Sequence, residues 1–336
     1  MLNFEEISKQ IREKENLEIL KILKTLSGVK QTLLCQGEKN KVILSIGEQR
    51  PPVFRNGFES EKIVIPRIIK QDVILTEDFD EAGITEIPYE IEEYLEGEIF
   101  TEIWAKREIK GIPLSEDLEE EVIKIYIDLR ELFDNFLITK EFISTLSEWF
   151  KKVFWKWITV IKAKDLITFQ DQDRILKKIA DHPNYNKLIQ PEISHGHFAI
   201  THFIRMPNGR TGIIDLTHFG LRPRYYDLTF FLWSQWFWTR EETLDKPEET
   251  WEYMKDFFKK MQRNNPKEFQ NEISLKQFYL VLLERILGAL YDVAITTDHF
   301  KRIFKEEEQK QKLTKFLQKI LEHCLEALSF PKKIED

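Results

Sequence analysis

Cysteine is scarce in this chain of 336 residues, which contains only Cys35 and Cys324. Two cysteines so far apart provide neither a disulfide framework nor a cysteine-based zinc site, and they favour a reducing, cytoplasmic location. The sequence also lacks an uninterrupted apolar run of about 18 residues, so no membrane span is predicted. Its N-terminal residues are polar and acidic, unlike those of a signal peptide.

A surplus of basic residues is absent as well. The formal net charge is −8, with both signs interspersed along the chain. This balance argues against a general nucleic-acid binder, which needs a basic face to neutralise phosphates. What the chain does have is 42% hydrophobic and 12% aromatic residues, so it is predicted to be globular. Its length suits one large domain or two lobes.

The first hundred residues have the pattern of antiparallel strands. Residues 4–16 are predicted to be helical, and strands are predicted at about 19–26, 30–36 and 41–46. Ser27-Gly28 and a polar turn at 37–40 separate these strands. In a competing interpretation the first helix runs on to Leu26, because the apolar residues after Leu17 also fit a helical stripe. Two further strands are predicted within 63–79 and 88–98, with a short linker containing Pro51-Pro52 before them.

From about residue 115 the pattern becomes helical. Ser115 precedes an acidic first turn and an apolar stripe with helical spacing, and a second stripe covers 141–162. More helices are predicted at 225–240, 249–263, 275–295 and 302–329. The predicted fold is therefore α+β and bilobal, with a β-rich lobe over 1–96 and a helical lobe over 97–336. Within the helical lobe, the segment 193–228 is predicted to form a loop and a hairpin.

The segment 193–228 carries most of the chemical signal. Its loop opens with His195-Gly196, and its hairpin turns at Pro207-Asn208-Gly209. An apolar strand then ends at Asp215, and Asp227 opens an apolar helix within Tyr226-Asp227-Leu228.

Together with 19–47 and 88–98, this segment resembles the aminoglycoside phosphotransferase and choline kinase family. These small-molecule kinases are related in fold to protein kinases. The resemblance spans most of the chain in order and implies a bilobal kinase-like fold, with ATP and Mg²⁺ as cofactors. In the family the loop reads His-Gly-Asp, with an Asn five positions after that Asp.

The resemblance implies particular roles near the reacting phosphate. Asp215 takes the position of a metal ligand. His197 takes the position of the Asp that accepts the substrate proton, and His202 takes the position of the second metal ligand, normally Asn. His195 and Asp227 fall on structural positions that hold the loop and the following helix. Imidazoles prefer transition metals to magnesium, so His197, His202, Asp215 and His218 also raise the hypothesis of a transition-metal site, and the resemblance implies that the first three converge on one cleft.

On the nucleotide side, the lysine that holds the phosphates falls on Ser45. The phosphate-covering turn keeps Gly28 but is not glycine-rich. Glu59 and Glu61 are the only nearby candidates for the glutamate that holds this lysine in the family. The segment Glu93-Tyr94-Leu95 falls where adenine would pair with backbone groups.

Three changed polar positions predict a catalytically degenerate pseudokinase that binds a nucleotide, a small molecule or a protein partner. Losing the lysine, a metal ligand and the carboxylate base removes most of the charge neutralisation that phosphoryl transfer requires. The alternative is an active small-molecule kinase with rearranged residues. In it Asp215 and His202 hold the metal, His197 is the base, and Lys30, Lys39 or Lys41 reaches the phosphates.

Overall fold

The computed structural model describes residues 4–26, 30–50, 55–78, 83–106, 116–134, 140–179, 190–264, 272–295 and 307–328. The chain divides into two compact units, and three segment boundaries separate them. The first unit contains residues 1–107 and 200–219, and the second contains 108–199 and 220–336. None of the described helices is both long enough and apolar enough to cross a membrane.

In the first unit, the N-terminal helix packs on a five-stranded antiparallel sheet. The strands of this sheet follow the order β1-β2-β3-β7-β6. Its elements are α1 (Phe4–Glu15), β1 (Glu18–Leu26), β2 (Lys30–Gln36), β3 (Lys41–Ile46), β6 (Ile68–Asp78) and β7 (Gly83–Glu93).

Helix α1 covers one face of this sheet. Phe4, Ile7 and Ile11 of the helix are buried against apolar residues of the central strands: Leu33, Cys35, Val42, Leu44, Ile46, Ile87, Tyr89 and Ile91. Because side chains alternate along a strand, the residues between these point to the other face. Thr32 is paired with Ser45, and Ser45 with Glu90, so polar residues share that second face.

A second sheet completes the first unit, with the order β4-β5-β11-β10-β8. Its strands are β4 (Phe58–Glu59), β5 (Ile63–Ile65), β8 (Glu98–Ile99), β10 (Phe203–Arg205) and β11 (Thr211–Ile213), and the short helix α2 (Phe100–Lys106) follows β8. The hairpin of β10 and β11 turns at Gly209, whose φ of 80° suits glycine. This hairpin pairs with β5 on one side and β8 on the other.

The second unit is mainly helical. Its elements are α3 (Glu116–Phe133), α4 (Lys140–Ala163), α5 (Phe169–Ile179), α6 (Tyr226–Leu244), α7 (Pro247–Asn264), α8 (Glu272–Ile295) and α9 (Glu307–Ala327), with a strand pair β9 (Pro191–Ser194) and β12 (Gly220–Pro223). Helix α8 packs against α4, α6 and α9. It is buried on several sides, as its apolar residues Leu282, Leu283, Ile286, Leu287 and Leu290 show.

The predicted α+β class, with an antiparallel N-terminal region and a helical C-terminal region, is confirmed. The interpretation that extended the first helix to Leu26 was wrong: α1 ends at Glu15 and β1 begins at Glu18. Asn16 lies between them with a φ of 52°, a left-handed conformation that commonly ends a helix. The division at residues 96 and 97 stays a prediction, and the compact units differ from it because residues 200–219 group with the first unit.

Candidate functional site

Lys30 and Asp215 lie beside each other in the first unit. Lys30 begins β2, on the polar face of the sheet, and its Nζ is 3.8 Å from Asp215 Oδ1. The same ammonium group forms an ion pair with Glu48, just after β3. Burial lowers the pKa of Lys30, whereas the Asp215 carboxylate acts to raise it. The result is a mostly buried cation held between two carboxylates.

Asp215 has a left-handed backbone, with φ 61° and ψ 55°. Non-glycine residues rarely adopt this conformation, although Asp and Asn tolerate it best, and such residues cluster at functional sites. The Thr217 hydroxyl donates a hydrogen bond of 2.8 Å to Asp215 Oδ1. The conformation thus directs the carboxylate towards Lys30 and Thr217 instead of continuing the line of β11.

His202 contacts the other oxygen of this carboxylate. Its Nε2 is 3.1 Å from Asp215 Oδ2, and only 8% of its side chain is exposed. The backbone holds the two segments together, because the Ile214 N–H donates to the His202 carbonyl at 3.0 Å. The pair provides one imidazole nitrogen and one carboxylate. The carboxylate suits a hard cation such as Mg²⁺, and the imidazole shifts the preference towards transition metals.

An arginine fills the polar face next to Lys30. Arg50 Nε is 2.6 Å from Glu90 Oε1, and its Nη2 is 2.8 Å from Glu92 Oε2. All three side chains are buried or nearly so. Burial raises the pKa of Glu92 to about 7, although Arg50 opposes this shift.

The other candidate lysines lie elsewhere. Ser45, at the family's lysine position, faces the polar side of the sheet through its pairing with Glu90. Lys41 has its ammonium 5.7 Å from the centre of the Tyr94 ring, and Lys39 lies in the turn before β3. Among these three lysines, Lys30 is the one that the structure brings to Asp215. Glu59, proposed to hold the lysine, instead accepts a hydrogen bond of 2.5 Å from Arg210.

The segment predicted to recognise adenine leaves β7 and approaches the hairpin of β10 and β11. The Glu93 N–H donates to the Arg67 carbonyl at 3.0 Å, and the Glu93 carboxylate pairs with the Arg67 guanidinium. Leu95 packs on Gly212, where a Cβ atom would lie 2.8 Å from Leu95 Cδ1. Gly28 lies outside the described residues.

In the second unit, Asp227 supports the loop that carries His195 and His197. It accepts the N–H groups of His195 at 2.7 Å and Gly196 at 2.8 Å. Burial raises the Asp227 pKa to about 6, and these two hydrogen bonds oppose the shift. His195 is fully buried, and its Nδ1 accepts the His197 N–H at 3.2 Å. The His197 ring stands edge-on to Phe230, with 4.9 Å between centroids.

No family model matches the sequence, and no curated protein matches it. Solved structures do match over nearly the whole chain. Amicoumacin kinase hAmiN, in complex with AMP-PNP, Ca²⁺ and Ami, has a TM-score of 0.57 at 14% identity, and the match covers 96% of this chain and 94% of that one. A thermostable mutant of aminoglycoside phosphotransferase APH(4)-Ia with ADP and hygromycin B has a TM-score of 0.52 at 12% identity, covering 93% and 98%.

A microcompartment-associated aminopropanol kinase has a TM-score of 0.53 at 11% identity, covering 94% of this chain and 95% of that one. The chain has a kinase-like phosphotransferase fold. The resemblance predicted from the segment 193–228 is thereby confirmed for the fold. At these identities the likeness does not extend to the chemistry, and the roles of the site residues stay predictions.

Within this kinase-like phosphotransferase fold, four charged residues of the site were not predicted: Glu48, Arg50, Glu90 and Glu92. A weak signal for two of them exists in the sequence. Glu90 and Glu92 alternate with Tyr89 and Ile91, so both carboxylates lie on one face of a strand. Alternation alone, however, also fits a strand whose polar face is exposed to solvent.

Proposed function

We propose that this protein binds a nucleotide through the polar face of its first sheet and transfers phosphate inefficiently or not at all. Lys30 contacts the phosphates, and Asp215 holds the metal that accompanies them. The single observation that carries this proposal is the distance of 3.8 Å between the Lys30 ammonium and the Asp215 carboxylate. Catalysts of phosphoryl transfer require a cation and a metal ligand close together.

Lys30 meets the physical requirements of a phosphate-binding lysine. Its side chain is 13% exposed, so a phosphate that reaches it finds a poorly solvated positive charge, which interacts more strongly than an exposed one. Glu48 holds the ammonium in place. When a nucleotide binds, its phosphates would pair with the Lys30 ammonium. A metal ion would then pair with the Asp215 carboxylate in place of Lys30.

A metal held at this position would supply positive charge that neutralises the negative charge of the phosphates. Asp215 offers the carboxylate for it, with Thr217 fixing one of the two oxygens. Mg²⁺ fits this oxygen donor. Mn²⁺ fits the pair of Asp215 and His202 better, because it accepts an imidazole more readily.

Inefficient transfer follows from the two substituted positions. His202 offers one nitrogen where the family has an amide oxygen, and its Nε2 lies 3.1 Å from Asp215 Oδ2. His197 offers an imidazole where the family has a carboxylate base. An imidazole can accept a proton near neutral pH but becomes a cation when it does so. The protein is therefore proposed to be a pseudokinase, with a small molecule or a protein as its further ligand.

The adenine of the nucleotide is proposed to pair with the backbone of Glu93, Tyr94 and Leu95. Backbone recognition does not depend on side-chain identity, so binding tolerates the acidic composition of this segment. The neighbouring structures are kinases of amicoumacin and aminopropanol and an aminoglycoside phosphotransferase. Small molecules with hydroxyl and amino groups are therefore the first acceptors to test.

A second candidate function is that of an active small-molecule kinase. It is favoured by the position of Lys30, whose ammonium lies beside Asp215 and would replace the cation that Ser45 cannot provide. In this candidate Asp215 and His202 hold the metal and His197 is the base.

The test for binding is a calorimetric titration with ATP, without metal, with Mg²⁺ and with Mn²⁺. Lys30→Met is expected to weaken ATP binding at least about tenfold, which corresponds to about 1.4 kcal/mol. Lys39→Met is the matched control, because Lys39 lies in an exposed turn of the same sheet. An absence of ATP binding under all three conditions, or equal affinities for the two variants, would refute the proposal.

The test for transfer is ATP turnover with a panel of amino alcohols, aminoglycosides and sugars. The pseudokinase proposal expects little or no acceptor-dependent turnover. Turnover that is lost in Asp215→Ala and in His197→Ala would instead establish the active kinase.

A further inference from the structure

The Lys30 side chain is paired with a glutamate from the segment that follows β3. None of the described residues in this stretch, 47–50 and 55–62, is helical. Glu48 nevertheless holds the Lys30 ammonium. A glutamate in a non-helical segment has many accessible positions, so something else must fix it.

Arg50 is the anchor of this segment. Its Nε and its backbone N–H both donate to the Glu90 carboxylate, at 2.6 Å and 2.9 Å. Its Nη1 donates to the Pro66 carbonyl at 3.1 Å, and Nη2 is paired with Glu92 at 2.8 Å. The Arg50 side chain is only 2% exposed.

Two glutamine side chains also bond this segment to the sheet. Gln71 donates to the Arg50 carbonyl at 2.8 Å and to Glu90 at 2.7 Å. Gln49 donates to the carbonyls of Asp72 and Tyr89, at 2.7 Å and 3.0 Å. Residues 49 and 50 are thus bonded to β6 and β7, immediately after Glu48.

We propose that Arg50 is a positioning residue for nucleotide binding. It anchors residues 48–50 to β7, and this anchorage holds Glu48 against Lys30 and Lys30 beside Asp215. The inference depends on the proposed function, because Lys30 is the residue that contacts the phosphates. Arg50 itself is buried and contacts no ligand.

Arg50 has a second effect, through its charge. Glu90 and Glu92 act electrostatically on Lys30, together with Asp215. Arg50 pairs with both of these buried carboxylates, so its positive charge offsets part of their negative charge. Without its charge, Lys30 would be the nearest cation available to Glu90 and Glu92 among these residues and would be drawn away from Asp215.

Two substitutions separate anchorage from charge. Arg50→Lys keeps the positive charge but loses the planar group that bonds Glu90, Glu92 and Pro66 together. Arg50→Gln loses both. Arg210→Lys is the matched control, because Arg210 pairs with the exposed Glu59 carboxylate in the same unit, away from the residues proposed to bind the nucleotide. Arg50→Lys is the decisive variant if Arg50→Gln fails to fold by circular dichroism, since it leaves no buried carboxylate without a cation.

The first measurement is ATP affinity by calorimetry. Arg50→Lys is expected to weaken binding about tenfold, with Arg210→Lys equal to the wild-type protein. The second measurement uses no nucleotide: the rate at which Lys30 is labelled by an amine reagent in the full chain, measured by mass spectrometry across pH. Arg50→Lys is expected to raise the labelling rate of Lys30 at high pH, because the loss of anchorage releases the side chain to solvent.

The two measurements distinguish the inference from the proposed function. Altered labelling of Lys30 in Arg50→Lys, with no ATP binding by the wild-type protein, would uphold the positioning role and refute nucleotide binding. Unchanged labelling in a folded Arg50→Lys would overturn the positioning role, whatever happens to ATP affinity.

Discussion

Glu92 is a buried carboxylate whose charge should change near neutral pH. Burial raises its pKa from 4.5 to about 7 in the folded protein. The folded state therefore binds a proton more tightly than the unfolded state does. The stability that this proton contributes is present in full below about pH 4.5 and is lost as the pH rises through about 7.

Glu92→Gln is expected to remove this dependence, since the amide has no proton to lose. The free energy of unfolding in urea, measured from about pH 5 to about pH 8, should fall less steeply in the variant than in the wild-type protein. Glu93→Gln is the control, because Glu93 is the next residue in the chain and its side chain is 43% exposed. Equal slopes for wild-type protein and Glu92→Gln would contradict the prediction.

The sequence identified Asp215 and His202, which the structure brings together, but it did not identify the charged residues around Lys30. Asp215 and His202 belong to one motif, and their separation along the chain is short. Arg50 and Glu90 meet only because β3 and β7 pair in one particular register. A pattern of single residues does not define that register, so a buried ion network has the same signature as a solvated face.

At the scale of elements, Gly97 determines how closely the segment after β7 approaches the β10–β11 hairpin. A Cβ atom at Gly97 would lie 2.4 Å from the Arg205 carbonyl oxygen and 2.6 Å from Ile204 Cγ2. Backbone cannot move aside as a side chain does, and β8 must shift on β10 to relieve the overlap.

Gly97→Ala is therefore expected to destabilise the protein by about 1–3 kcal/mol, seen as a lower midpoint of thermal unfolding. Gly220→Ala is the control, because its nearest neighbour would be the end of the Arg222 side chain at 3.9 Å. A midpoint for Gly97→Ala equal to that of the control would show that the hairpin contact is looser than described.

The longer elements were predictable because their periodicity is clear. Strands β1, β2 and β3 match the predicted ranges closely, and helix α3 begins in the predicted acidic turn. The run from 63 to 79 was predicted as one strand, but it divides at Pro66-Arg67 into β5 and β6, which belong to different sheets. Proline cannot donate to a strand ladder, so it marks this break. Strands of two residues such as β4 and β8 are too short to show a period.

At the scale of the whole molecule, the first unit is assembled from two distant parts of the chain. Residues 1–107 supply β5 and β8, and residues 200–219 supply the hairpin that joins them. A fragment of residues 1–107 is expected to lack cooperative unfolding by circular dichroism. Fusion of 200–219 to it through a Gly/Ser linker should restore cooperativity. A cooperative transition in the unfused fragment would contradict this dependence.

The same interleaving bears on how the protein folds while it is being made. The N-terminal strands leave the ribosome early, but the hairpin that covers β5 and β8 follows only after residue 219 has emerged. At 5–20 residues per second, this delay is about 6–20 s. During that interval the edges of β5 and β8 are open to other chains. A chaperone that binds nascent chains would therefore act on this protein chiefly while residues 108–219 are being synthesised.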